Sequence, residues 1–142
     1  MGKKRILVID DDIHATRMLK VGLEKGGPFE VREVNRGVEA LRVAQEFRPD
    51  AVLLDVCIPD VEGSEIAFQI ANQAGLRTTP IVFLTSIVSE RELAEKQGII
   101  GGHRYIAKPT RLEKVIAYLE NELGLCAQDD RSTAVPTGGL SA

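Results

Sequence analysis

The sequence contains no tryptophan, only two cysteines and few aromatic residues, which make up 4% of the chain. It also lacks any run of about eighteen apolar residues, so it predicts no membrane-spanning helix. Residues 1–5 include a basic cluster, but the apolar run after them is too short for a secretory signal. The two cysteines, Cys57 and Cys126, do not resemble a disulfide framework or a pair of metal ligands. We therefore expect a protein of the reducing cytoplasm.

Charge of neither sign dominates, since 18 lysines and arginines face 21 aspartates and glutamates, for a net charge of -3. The longest cationic run is residues 3–5, which argues against direct nucleic-acid binding by this chain. The hydrophobic fraction of 44% and the charged fraction of 27% are typical of a globular protein. A chain of 142 residues can bury one sizeable core but is too short for two ordinary domains.

Short apolar segments alternate with stretches of helical periodicity along most of the chain. This alternation is typical of a parallel β-sheet covered by helices on both faces. Strands are predicted at residues 6–9, 29–34, 51–54, 81–84 and 105–107. Glu30, Arg32 and Glu33 interrupt the second strand, which is therefore expected at an edge of the sheet, where one face is wetter.

Five helices are predicted between and after these strands. Apolar residues at helical spacing mark four of them: Met18, Leu19 and Leu23 in the first, Val38, Leu41, Ala44 and Phe47 in the second, Ile66, Ala67, Ile70 and Ala71 in the third, and Leu112, Val115, Ile116, Leu119 and Leu123 in the fifth. The fourth helix has few apolar residues, so we expect it to be held least firmly. Residues 89–92 and 110–113 have the form of capping boxes, which would start the fourth and fifth helices.

Residues 1–125 are predicted to form one folded domain. From Cys126 onward the residues are small, polar or turn-forming, with Pro136 and two adjacent glycines. Residues 126–142 are therefore expected to be a flexible C-terminal tail or the start of a linker. Whether the chain is a complete protein or a fragment of a longer one stays open.

Polar residues stand where four of the predicted strands end: Asp10, Asp11 and Asp12 after the first, Asp55 after the third, Thr85 and Ser86 after the fourth, and Lys108 after the fifth. Ligands bind outside the carboxyl ends of strands in an open parallel sheet, so these groups are expected to gather at one edge. Crowded carboxylates repel one another, so a cation is expected among them. Mg²⁺ prefers oxygen ligands and suits a site that also binds phosphate. Such a site would form an aspartyl phosphate whose oxygens are bound by Lys108 and by Thr85 or the Ser86 amide.

Four segments resemble the motifs of the receiver domain of response regulators: residues 6–11, 54–59 with Gly63, 84–86, and 105–109. The similarity extends over roughly residues 4–125. It implies an α/β, flavodoxin-like three-layer sandwich with five helices and a five-stranded parallel sheet in the order 2-1-3-4-5, as in chemotaxis receivers. In place of the usual Asp-Gly before the third helix this chain has Glu62-Gly63, a conservative change.

The resemblance also implies the role of each site residue. Asp55 would be the phosphoacceptor, assisted by Lys108 and Thr85. The metal ligands would be Asp10, Asp11, Asp55 and the backbone carbonyl of Cys57, and the phosphate-binding residues would be Thr85, Ser86 and Lys108. Thr85 and Tyr105 would form the switch, and a cis peptide bond would precede Pro109.

We therefore predict a phosphoacceptor switch of a two-component phosphorelay. Its phosphoryl group would come from a sensor histidine kinase or a histidine phosphotransfer protein. It would not be an enzyme in the usual sense, because it would catalyse only the phosphorylation and dephosphorylation of its own aspartate. Its output would be contact with a downstream protein through the face made by the fourth helix, the fifth strand and the fifth helix, and homodimerisation stays open.

Two positions depart from the family pattern. Cys57 and Ile87 stand where the family often has polar side chains near the attacking water, so we predict that the phosphate on Asp55 is long-lived.

Two other functions compete with that of a phosphoacceptor switch. A haloacid-dehalogenase-like phosphatase is disfavoured because no acidic pair follows Lys108 in the folded part. A phosphorylation-independent interaction module is disfavoured by the intact acidic cluster. His14 and His103 are expected to be surface residues.

Overall fold

The computed structural model describes residues 2–100 and 103–125, which form a six-stranded sheet with five helices. The strands are β1 Lys4–Ile9, β2 Phe29–Val34, β3 Ala51–Asp55, β4 Ile81–Thr85, β5 Ile99–Ile100 and β6 His103–Ala107. The helices are α1 Ile13–Gly26, α2 Gly37–Phe47, α3 Gly63–Ala71, α4 Glu90–Glu95 and α5 Leu112–Glu122. The predicted tail at 126–142, with Cys126, lies outside the described residues.

The sheet runs in the order β2-β1-β3-β4-β6-β5. Every pairing from β2 to β6 is parallel, so the predicted order 2-1-3-4-5 is confirmed, with β6 as the fifth predicted strand. The charged second strand lies at an edge, as predicted. The structure adds β5, which pairs antiparallel with β6 through Ile99 and Ile100. Two residues are too short a pattern to identify as a strand from the sequence.

Two apolar layers enclose the sheet, because successive strand residues point to opposite faces. On one face, Leu7, Ile9, Val52, Leu54 and Phe83 pack against α2 and α3. On the other, Ile6, Val8, Leu53, Val82 and Leu84 pack against α1 and α5. Burial on both faces explains why the central strands are continuous apolar runs. The predicted three-layer α/β architecture is confirmed.

Local sequence patterns predict the start of some helices but not of others. Asp12 caps α1 by accepting the backbone N–H groups of His14 and Ala15. The predicted capping box of Ser89 and Glu92 forms at α4. The box predicted at 110–113 does not form, because Arg111 occupies the N-cap position without a side-chain capping bond and α5 begins one residue later than the box requires.

The first residue of α5 packs on α1. Leu112 lies directly on α1, where a Cβ atom added at Gly22 would be 2.7 Å from the leucine side chain. Three residues that marked apolar helix faces are exposed: Met18 to 75%, Val38 to 59%, and Ala71. Within the described ranges, no helix is long and apolar enough to cross a membrane.

Candidate functional site

Four parallel neighbouring strands end at one edge of the sheet and carry the predicted site residues there. Asp10 directly follows β1, Asp55 ends β3, Thr85 ends β4 and Lys108 directly follows β6. The convergence follows from the register, in which Asp55 aligns with Leu84, and Thr85 with Ala107. The edge of the sheet predicted to carry the chemistry is therefore the edge at which these residues meet.

Three carboxylates gather at this edge, those of Asp10, Asp11 and Asp55. Each contributes one oxygen, and these oxygens lie within 4.8 Å of one another. Asp10 is 1% exposed and Asp55 7% exposed, whereas Asp11 is exposed. An octahedral Mg²⁺ lies about 2.1 Å from its ligand oxygens, so opposite ligands are about 4.2 Å apart. A small contraction of the cluster would therefore fit this ion, and the donor set consists of the oxygens that it prefers.

Lys108 supplies the positive charge of the cluster. Its Nζ atom donates hydrogen bonds to Asp10 Oδ2 at 2.8 Å and to Asp55 Oδ1 at 3.2 Å. The peptide bond between Lys108 and Pro109 is cis, as the resemblance implied. The Lys108 backbone N–H also donates to the Thr85 carbonyl at 2.7 Å, so this bond ties the lysine to the end of β4.

The electrostatics of the cluster favour different charge states at the acid and the base. Burial raises the pKa of Asp55, and the charge of Asp10 raises it further, against the opposing effects of Lys108 and the Cys57 backbone N–H. Burial acts to lower the pKa of Lys108, but the hydrogen bonds and charges of Asp10 and Asp55 outweigh it and raise that pKa. The lysine thus remains charged, while ionised Asp55 is poorly stabilised and gains from any added cation.

Close backbone packing places the loop after Asp55. A Cβ atom added at Gly63, the first residue of α3, would lie 3.0 Å from the Asp55 carbonyl oxygen and 3.2 Å from the Val56 Cα atom. A residue with a side chain at this position would move α3 and the end of β3 apart by a few tenths of an ångström. Cys57 lies in the connecting loop and is an exposed free cysteine.

The predicted switch residues are buried or half-buried. Thr85 is 3% exposed, and its Oγ1 atom accepts the Ile87 N–H at 3.1 Å. Tyr105 is half-buried and stacks on Phe83, with ring centroids 5.2 Å apart. Ser86 follows Thr85 and is exposed. The structure thus places Thr85 beside the acidic cluster and Tyr105 one strand away, on the face that carries α3.

Surface residues and long-range contacts complete the surroundings. His14 and His103 are exposed, as predicted. Two contributors were missed by the sequence analysis, because their partners are far away in the chain. Asp60 accepts the Gly37 and Val38 N–H groups, both at 3.0 Å, and so caps α2 from the loop after β3. Asn35 binds the carbonyl of Asp10. The one sequence signal for Asp60 is that α2 has no capping side chain of its own.

The chain is similar to known proteins over most of its length. Residues 6–120 match the model of the response regulator receiver domain. The polar-differentiation response regulator DivK of Brucella anthropi is 28% identical over 122 residues, covering 85% of this chain and 97% of that protein. The response regulator MprA of Mycobacterium leprae is 35% identical over 133 residues, covering 92% of this chain. The chain spans 56% of the length of MprA.

A solved structure shows the same fold. The chemotaxis protein CheY4 of Vibrio cholerae superimposes with a TM-score of 0.72 at 29% identity. The superposition covers 84% of this chain and 98% of that one.

Proposed function

The chain belongs to the response regulator receiver domains, the phosphoacceptor domains of two-component systems, and on that premise we propose that Asp55 accepts the phosphoryl group. The observation that carries this proposal is the convergence of Asp10, Asp11, Asp55 and Lys108 at one end of the sheet. The contact between Lys108 and Asp10 joins residues 98 positions apart in the chain. Helix capping or loop polarity alone accounts for no such convergence.

Phosphorylation exchanges one bond at phosphorus for another. An oxygen of the Asp55 carboxylate attacks the phosphorus atom of a phosphohistidine, the new P–O bond forms, and the P–N bond to the imidazole breaks. The donor would be a sensor histidine kinase or a histidine phosphotransfer protein. Lys108 stays charged beside the nucleophile and binds a phosphoryl oxygen as negative charge is redistributed. Thr85 and the Ser86 backbone N–H supply further hydrogen bonds.

Receiver domains bind Mg²⁺ at an acidic pocket. Here Asp10, Asp11, Asp55 and the Cys57 carbonyl would hold the ion, which would screen the carboxylates and neutralise charge on the phosphoryl group. Burial and the charge of Asp10 raise the pKa of Asp55, so an added cation would stabilise its ionised form, which supports this role.

The signal would leave the site through Thr85 and Tyr105. Once Asp55 is phosphorylated, Thr85 Oγ1 would turn from the Ile87 N–H to donate its own proton to a phosphoryl oxygen. This would draw the loop after β4 inward and open space for the Tyr105 ring. The change would alter the face made by α4, β6 and α5. A cleft of about 310 Å³ on that face, lined by Leu93, Arg104, Lys114 and Tyr118 among others, would receive a downstream protein.

The chain would turn over no substrate other than its own aspartyl phosphate, and it would act in the cytoplasm. Residues 1–125 would form the receiver domain, and residues 126–142 a tail or the start of a linker. Homodimerisation stays open as a means of output.

Covalent labelling tests the proposal. The purified chain is incubated with acetyl phosphate and Mg²⁺ and separated on a phosphate-affinity gel, beside Asp55→Asn and the control Asp50→Asn. Asp50 is another side-chain acceptor, bonded to the Arg5 N–H at 2.8 Å outside the site. We expect labelling of the wild type and of Asp50→Asn only. Labelling of Asp55→Asn to the wild-type level would reject Asp55 as the phosphoacceptor.

A further inference from the structure

We propose that Asn35 is a positioning residue for the acidic pair Asp10 and Asp11. It acts on the pair through the main-chain carbonyl of Asp10 at the end of β1. The inference rests on the proposed function, since it assigns Asn35 a part in forming the magnesium site. Asn35 itself contributes no ligand atom to that site.

The geometry of the β1–β2 pair carries the first step. β2 ends at Val34, whose carbonyl accepts the Asp10 backbone N–H at 3.0 Å. In a continued parallel ladder, the Asp10 carbonyl would accept the backbone N–H of Arg36. Instead, the Asn35 side-chain nitrogen donates to that carbonyl at 2.8 Å. A side chain thus replaces the next ladder bond at the point where β1 delivers the metal ligands.

A chain of hydrogen bonds fixes the orientation of the Asn35 amide. Its nitrogen also donates to Thr16 Oγ1 at 3.0 Å, and Thr16 is 0% exposed. Thr16 Oγ1 lies 2.8 Å from Glu33 Oε1 and 3.1 Å from the Ile13 carbonyl, and its single proton serves these acceptors, which leaves lone pairs for the amide. Glu33 is held in turn by Arg17 at 3.0 Å. With the amide flipped, its oxygen would face the Asp10 carbonyl and both bonds would be lost.

The Asp10 carbonyl belongs to the peptide group that joins Asp10 to Asp11. Rotation of this peptide would redirect both residues, and with them two of the three carboxylates of the cluster. Metal ligands must be held close to their binding geometry before the ion arrives, and partners that orient the ligands support this. Without the Asn35 side chain, the main-chain carbonyl of the buried Asp10 would lose this hydrogen-bond donor, and the peptide would be free to reorient.

Magnesium affinity measured by isothermal titration calorimetry separates positioning from general stabilisation. The test compares the full wild-type chain with Asn35→Ala, Asn72→Ala and Asp11→Asn. Asn72 is the matched control, because its side-chain nitrogen also donates to a main-chain carbonyl, that of Phe68, at 2.8 Å at the end of α3. Unfolding temperatures of all variants without Mg²⁺ report the purely structural effect.

We expect Asn35→Ala to raise the Kd for Mg²⁺ roughly tenfold, as is typical when a partner that orients a metal ligand is removed. Asn72→Ala should keep the wild-type Kd. Acetyl phosphate labelling of Asn35→Ala should approach the wild-type level at saturating Mg²⁺, because Asp55 and Lys108 are unchanged. If Asn35→Ala does not fold, Thr16→Val takes its place, with a smaller rise in Kd expected because the amide then lacks its second acceptor.

Each contrary result has a distinct meaning. A wild-type Kd in Asn35→Ala, with only the unfolding temperature lowered, would overturn the inference and leave the proposed function intact. The same holds if Thr16→Val, used as the substitute, binds Mg²⁺ like the wild type. If the wild type binds no Mg²⁺ and matches Asp11→Asn, the proposed function fails and the inference fails with it.

Discussion

Lys108 offsets the repulsion among the carboxylates of the acidic cluster, so its replacement by methionine should lower the free energy of unfolding. Its Nζ atom lies 2.8 Å from Asp10 Oδ2 and 3.2 Å from Asp55 Oδ1. At an effective dielectric constant of about 20, these attractions amount to roughly 6 and 5 kcal/mol before desolvation is subtracted. Loss of one partner of a buried ion pair costs about 3–5 kcal/mol in stability.

The lower end of that range applies here, because the Lys108 side chain is 23% exposed. We therefore expect Lys108→Met to lose about 3 kcal/mol of unfolding free energy at neutral pH without Mg²⁺. This corresponds to a fall in Tm of about 12 °C for a domain of this size. Urea denaturation followed by far-ultraviolet circular dichroism measures the loss, since the chain has no tryptophan to report on it.

Acid should reduce this loss. The pKa of Asp55 is raised by burial and by Asp10, so the folded protein binds a proton at Asp55 more tightly than the unfolded chain does. Ionised Asp55 therefore weakens the fold progressively as pH rises from the unfolded pKa, about 3.9, through the raised folded value. As pH falls through that window the Asp55 carboxyl is neutralised, so the part of the Lys108→Met loss that comes from Asp55 should disappear. Mg²⁺ should also narrow the difference at neutral pH.

Lys20→Met is the matched control. Lys20 likewise makes two bonds, to Glu24 Oε2 at 3.1 Å and to the Val31 carbonyl at 2.8 Å. Its side chain is 35% exposed, so about 1 kcal/mol or less should be lost, with no response to Mg²⁺. The reasoning is refuted if Lys108→Met loses no more than Lys20→Met, or if its loss is the same in acid and at neutral pH.

Three further outcomes are expected. The double variant Cys57→Asn, Ile87→Glu should lose its phosphate several-fold faster than the wild type in a decay assay, because polar groups would orient the attacking water; equal lifetimes would refute the prediction. Asp60→Ala should lower the Tm at neutral pH by leaving α2 without its cap. The N–H groups of Val38 and Gly37 lower the pKa of Asp60, so this difference should vanish as pH falls through the lowered value, and a difference that persists in strong acid would contradict the cap. Beryllofluoride with Mg²⁺ should change amide exchange in residues 86–100 and 103–108, and unchanged exchange would count against the switch.

The strand ends were predictable from the sequence because each is a local pattern. A buried apolar run ends in a polar residue, and the parallel order then brings the ends together regardless of the loops between them. Asp10, Asp55 and Lys108 could therefore be placed at one site before any distance was known. A different local pattern, the charged residues that interrupt it, identified the edge strand.

Other features depend on contacts between distant residues and left no local pattern. Helix α5 begins at Leu112, which packs on Gly22, and not where the capping box at 110–113 would start it. Asp60 caps a helix that begins 23 residues before it in the chain. Asn35 binds a carbonyl 25 residues away. The fold determines which distant residues come into contact, so these contacts can be identified only once the fold is known.

The central claim is that a phosphoryl group is carried by Asp55, and chemical mapping of the labelled residue tests it most directly. The chain is phosphorylated with acetyl phosphate and Mg²⁺, reduced with borohydride and digested for mass spectrometry. Borohydride converts an aspartyl phosphate to homoserine, which marks the residue permanently. We predict homoserine at position 55, and only when Mg²⁺ is present. Homoserine at another aspartate, or at none, would contradict the account.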